Sequence, residues 1–139
     1  MPKVVCIVDD QPSLRQMLRF ALNIHGVQVV EAENGISALD QLAHHDIDMM
    51  IIDWQMPELD GLGLVRLLRN SEEYADLPVV MVSCRDDLEA RREARSLGVL
   101  NWLKKPFRIS EVQFAVESAL GLSSLSTKPP TEHPMSGHF

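Results

Sequence analysis

Apolar positions along the chain alternate between two rhythms. Val4-Val5-Cys6-Ile7-Val8 is a short unbroken run rich in β-branched residues, the pattern of a strand covered on both faces. After Pro12 and Ser13, Leu14, Met17, Leu18, Ala21 and Leu22 recur at helical spacing, and Gly26 is expected to close that helix. Val27 to Ala32 reads as a second strand. Asn34 then caps a helix carrying Ile36, Leu39 and Leu42. Met49 to Ile52 is a third strand running into Asp53, followed by a helix through Leu62, Val65, Leu67 and Leu68. Pro78 to Val82 predicts a fourth strand, and Asp86 to Leu97 a fourth helix ended by Gly98. Its apolar face is thin: Ala90, Ala94 and Leu97, helped by Leu88. Val99 to Leu103 is the fifth strand, and Ser110 is expected to cap a last helix with Val112, Val116, Ala119 and Leu120.

Five strands alternating with five helices predict an α/β fold: a five-stranded parallel sheet with helices on both faces, of the doubly wound, flavodoxin-like kind. Right-handed crossovers leave few other topologies. The pattern lapses after Leu122. Residues 123–139, with Pro129, Pro130 and Pro134 among Ser, Thr, Gly and His, read as a flexible tail beside a folded domain over 1–122. With 139 residues, 45% of them hydrophobic, the chain suits one compact domain. No apolar run approaches the ~20 residues of a membrane span. Cys6 and Cys84 are too few and too far apart in sequence for a disulfide framework or a paired-cysteine metal site, so a reducing, cytoplasmic setting is expected.

Charge sharpens this picture by its placement. The net charge of −7 combines 5 basic and 13 acidic residues up to position 84 with 7 basic and 4 acidic over 85–108, and 1 basic and 3 acidic over 109–139. An acidic majority argues against general nucleic-acid binding. Arg91, Arg92 and Arg95 remain candidates for an acidic partner surface.

Parallel sheets place their ligands at the carboxyl ends of the strands. Asp9 and Asp10 follow the first predicted strand, Asp53 the third, Ser83 the fourth, and Lys104 and Lys105 the fifth. Clustered carboxylates need a proton or a cation at neutral pH. With no Cys or His among them the donors are all oxygen, which favours Mg²⁺. A carboxylate can itself act as a nucleophile toward phosphorus, while Lys105 neutralises a phosphoryl oxygen and Ser83 donates to another. Metal-assisted phosphoryl transfer follows from these residue types alone.

These residues also carry a resemblance. Asp9-Asp10, the stretch Asp53-Trp54-Gln55-Met56-Pro57-Glu58-Leu59-Asp60-Gly61, Ser83, and Lys105-Pro106-Phe107 occur in the order found in receiver domains of two-component response regulators. The likeness is greatest to the single-domain, chemotaxis-type members and covers about residues 3–121. It implies that Asp53 is the phosphoacceptor, and that Asp10, Asp53 and the backbone carbonyl of Gln55 hold Mg²⁺, with Asp9 assisting, largely through water. It further implies a cis bond between Lys105 and Pro106, a switch formed by Ser83 and Trp102, and tuning of phosphoryl lifetime by Gln55 and Arg85, with moderate to slow loss expected here. Ser83 replaces the more usual Thr, and Trp102 the more usual Tyr or Phe. The implied partners are a sensor histidine kinase or phosphotransfer protein, and an effector protein docking on the fourth helix, fifth strand and fifth helix. The chain would then be a phosphoacceptor regulator, with self-phosphorylation and autodephosphorylation, in place of a conventional enzyme.

Two other chemistries are less favoured. A flavin or nucleotide site wants a Ser/Thr/Gly-rich loop after the first strand, where Asp9-Asp10-Gln11-Pro12 would repel phosphate. An aspartate-nucleophile phosphatase wants a second Asp two residues after Asp53, and Gln55 stands there.

Overall fold

A computed structural model describes residues 2–122 of the chain, so the expected tail over 123–139 lies outside the described residues. Strands β1 (Val4–Val8), β2 (Gln28–Ala32), β3 (Met49–Asp53), β4 (Val79–Ser83) and β5 (Asn101–Lys104) alternate with helices α1 (Pro12–Leu22), α2 (Gly35–His44), α3 (Gly61–Arg69), α4 (Leu88–Ser96) and α5 (Ile109–Leu120). The strands form one parallel sheet in the order β2-β1-β3-β4-β5. The predicted architecture is thus present.

Each face of the sheet has its own core. Val5, Ile7, Met49, Ile51, Val80, Val82 and Leu103 meet Leu18 and Leu22 of α1 and Val112, Ala115 and Val116 of α5. On the other face Cys6, Val8, Val30, Met50, Ile52, Met81 and Trp102 share a cluster with residues of α2, α3 and α4. Alternate side chains of a strand point to opposite faces, which is why near-continuous apolar runs serve both layers. Among the described residues no helix is long and apolar enough to cross a membrane.

The structure corrects several expected ends. The first helix stops at Leu22, and Gly26, at φ +66°, closes a 3₁₀ turn over Asn23–His25. The last helix begins at Ile109, not behind a Ser110 cap. There the Glu111 carboxylate accepts the Arg108 N–H at 2.9 Å, so the capping group lies inside the helix. Asp87 caps α4 by accepting the Ala90 N–H at 2.9 Å, while Asp86 stands outside and pairs with Arg91 at 3.0 Å. Leu88, expected to help bury α4, is 64% exposed. Asn34 caps α2 as its position suggests, accepting from Ser37 N–H at 2.7 Å.

Candidate functional site

The strand order reverses direction at β1, which lies between β2 and β3, and ligand sites of such sheets form at this point. Val8 on β1 is in register with Ile52 on β3, so the next residues, Asp9 and Asp53, emerge side by side. Oxygen atoms of Asp9, Asp10 and Asp53 come within 4.8 Å of one another. Asp9 and Asp53 are buried and Asp10 is exposed.

The buried carboxylates are held by backbone and by one ammonium group. Asp9 Oδ1 accepts the Gln11 N–H at 2.8 Å, and Asp53 Oδ1 accepts the Gln55 N–H at 3.3 Å. Lys105 Nζ lies 3.1 Å from Asp9 Oδ2 and 3.5 Å from Asp53 Oδ2. Its bond to Pro106 is cis. Lys104 ends β5 as an exposed residue, so of the two candidate lysines Lys105 is the one that reaches the carboxylates. Ser83 is fully buried at the end of β4, where its Oγ accepts the Arg85 N–H at 3.0 Å. Gln55 is exposed at the rim, and the Cys84 thiol donates to its Oε1 at 3.4 Å. Trp102 is fully buried, and its Nε1 has no hydrogen-bond partner among the described residues.

Burial pushes the Asp53 carboxyl up from 3.8 to about 6; Lys105 opposes this rise, and Asp9 and Asp10 add to it. Three carboxylates facing one ammonium group thus keep uncompensated negative charge, and every donor is a hard oxygen. That combination fits a divalent cation such as Mg²⁺. The raised value also carries a stability consequence in divalent-free buffer. Between about pH 4 and 6 the folded state binds more protons at Asp53 than the unfolded chain does, so stability falls as pH rises through that window. Urea unfolding across this range, in the presence of a chelator, is expected to show the fall in the native chain. It should be absent in Asp53→Asn, and an equal fall in both proteins would contradict the assignment.

One participant, Arg15, was not legible in the sequence. Arg15 donates from its guanidinium to the Asp9 carbonyl while its Nε pairs with Glu31 Oε1 at 2.9 Å, bracing the loop after β1. Its partner sits on β2, and no spacing rule on α1 points to it. Trp54 packs its ring 5.4 Å from that of Trp102, and the Arg85 guanidinium lies 5.6 Å from the Trp54 ring centroid. Asp60 is a helix cap, accepting the Gly63 N–H at 2.8 Å, in keeping with the loop it shares with Gly61. Gly61 is required by proximity: a methyl group there would lie 2.5 Å from the Asp53 carbonyl oxygen and 2.9 Å from Trp54 Cα.

Known proteins share this arrangement of sequence and fold. Residues 5–117 match the family model described as response regulator receiver domain. The response regulator MprA of Mycobacterium sp. (strain KMS) is 33% identical over 129 residues, covering 93% of this chain and 55% of the relative. The chain therefore spans about half the length of that relative. A chemotaxis protein CheY homolog of Campylobacter jejuni is 35% identical over 120 residues, covering 85% of this chain and 92% of the relative. Among solved structures, a response regulator receiver protein from Pseudomonas putida matches with TM-score 0.80 at 31% identity, covering 85% of this chain and 98% of the other. The chemotaxis response regulator CheY4 of Vibrio cholerae matches with TM-score 0.79 at 29% identity, covering 86% and 100% respectively.

Proposed function

The chain belongs to the response regulator receiver domain family, whose members are phosphoacceptor regulators of two-component signalling, and from that membership we propose that Asp53 is its phosphoacceptor. The observation that carries this reading is the convergence of Asp9, Asp10 and Asp53 within 4.8 Å, with Lys105 bridging two of them. The donor is a phosphohistidine on a sensor kinase or phosphotransfer protein, or a small acyl phosphate. As an Asp53 carboxylate oxygen bonds to phosphorus, the bond from phosphorus to the donor atom breaks. The electron pair of that bond leaves with the imidazole or the acid.

Each neighbouring group has a task in this reading. Lys105 shifts part of its charge from Asp9 and Asp53 to an oxygen of the incoming phosphoryl group. The Ser83 hydroxyl, now an acceptor for the Arg85 N–H, retains a hydrogen with which to donate to another phosphoryl oxygen. Asp9, Asp10, Asp53 and the Gln55 carbonyl hold Mg²⁺, which when bound offsets charge on the transferred group. Ser83 and Trp102 form the switch, on neighbouring strands where Met81 is in register with Trp102.

The effector face comprises α4, β5 and α5. Leu88, Leu100 and Ile109 are exposed large apolar residues on or beside these three elements, and they suit a protein partner. Arg91, one of the basic residues expected on this side, is paired with Asp86 and only 15% exposed at its side chain. It contributes less charge to that face than its position in the sequence suggests.

Incubation with acetyl phosphate and Mg²⁺ tests the reading. Intact mass is expected to rise by one phosphoryl group, and Trp54 fluorescence to respond to Mg²⁺ alone. After removal of acetyl phosphate the added mass should persist well beyond seconds, as Arg85 beside the site implies. No mass gain would overturn the phosphoacceptor assignment, and decay within seconds would overturn the role given to Arg85.

A further inference from the structure

The loop that follows Asp53 owes its shape to a fit outside the carboxylate cluster. Over residues 54–60 the chain leaves β3, turns, and enters α3. Its ends are tied by the Gly61 N–H to the Trp54 carbonyl at 2.8 Å and by the Asp60 cap on Gly63. Within it Gln55, Pro57 and Glu58 are exposed, while Met56 is buried in the core. Glu58 has φ +68°, and among the described residues no other non-glycine residue has positive φ. The next residue, Leu59, is half-buried against the core layer that contains α2 and α3.

Two glycines admit Leu59. A methyl group on Gly35 would lie 2.7 Å from Leu59 Cδ2, 2.9 Å from Cγ and 3.1 Å from Cβ, so turning the tip of the leucine would not relieve the contact. On Gly63 it would lie 2.9 Å from Leu59 Cδ1. Gly35 is the first residue of α2, and the reciprocal bonds between Asn34 and Ser37 hold that helix end in place. The start of α2 is therefore a fixed stop for the loop. Gly63, in the first turn of α3, lines the other side.

We propose that Leu59 is a positioning residue for the phosphoacceptor site, seated in the notch between Gly35 and Gly63 and setting the path of the loop that carries Gln55. This rests on the reading of Asp53 given above. Leu59 touches neither phosphoryl group nor cation; it acts through the loop backbone, and groups that orient metal ligands in this indirect way commonly alter affinity severalfold or more.

The test uses the whole chain in four forms: native, Leu59→Ala, Gly35→Ala, and the double variant that restores the lost volume. Leu42→Ala, a buried substitution in α2, is the control for a merely structural effect. Trp54 fluorescence titrated with MgCl₂ gives a dissociation constant, and intact mass gives the rate of phosphorylation by acetyl phosphate. Each single variant is expected to weaken Mg²⁺ binding by about 10-fold. The double variant should recover most of that loss, because contacting residues couple. Leu42→Ala should lower Tm and leave Mg²⁺ affinity unchanged. Unchanged affinity in Leu59→Ala, or a double variant no better than the weaker single, would overturn the inference. If Gly35→Ala fails to fold, Leu59→Ala and Leu59→Val decide the matter on affinity alone. A native chain that neither responds to Mg²⁺ nor gains mass would overturn the reading of Asp53 and this inference with it. A native response matched in Leu59→Ala would overturn the inference only.

Discussion

Asp53→Asn is expected to lose phosphorylation completely and yet to be more stable than the native chain in divalent-free buffer at neutral pH. The two effects have one cause. An amide of nearly the same shape keeps the local packing but has no anionic oxygen with which to attack phosphorus. It also removes a carboxylate that burial and the neighbouring Asp9 and Asp10 disfavour, as the rise from 3.8 to about 6 expresses. A shift of that size corresponds to about 3 kcal/mol, so a gain of about 2–3 kcal/mol in unfolding free energy is expected. Lys105 loses one partner in the variant but keeps Asp9 at 3.1 Å, which limits the offset. Added Mg²⁺ should narrow the difference by stabilising the native chain more than the variant. Intact mass after acetyl phosphate treatment and urea unfolding with and without chelator check both halves. A mass gain that survives in Asp53→Asn would refute the site, and a destabilised variant in chelator would refute the charge argument.

Trp102→Ala carries the largest expected loss of stability. The indole is fully buried and shares a cluster with Ala90 and Ala94, the small residues by which α4 meets the sheet. Neither alanine can reach into the space an absent indole leaves, so the cavity remains. Such truncations cost about 3–5 kcal/mol, enough to threaten folding of a domain this size. Trp102→Phe should behave differently. It forfeits some packing, but it also deletes a buried N–H that has no partner among the described residues, a group of the kind that costs about 1–3 kcal/mol. The expected net change is within about 1 kcal/mol of neutral, since the two contributions oppose. Urea unfolding measures each. A loss below about 1 kcal/mol in Trp102→Ala would show that the indole is not a support for α4.

How much of this was legible depends on the kind of residue. Asp9, Asp53 and Lys105 could be located from order alone, because each sits at or just past the end of a short apolar strand. Parallel strands in one sheet bring such ends to one rim. Ser83 was legible in the same way, although it ends β4 and does not follow it. Helix ends were harder. Ser110 looks like a cap by residue type, but a carboxylate one position later makes the bond that counts. Leu88 looks like core by spacing, yet α4 begins there and turns it outward. Propensity is local, and these outcomes depend on which way the whole helix faces.

The α/β class, the strand-end carboxylates and the resemblance to receiver domains thus follow from residues and intervals. Hydrophobic period and turn chemistry are properties of neighbours in the chain. The strand order, the reach of Lys105 to Asp9 and Asp53, the brace from Arg15 and the Leu59 notch became visible only in three dimensions. Each joins side chains from separate elements, and their distances depend on register and packing, which no interval along the chain encodes. Lys105 meets Asp9 across 96 positions because β1, β3, β4 and β5 lie side by side in that order.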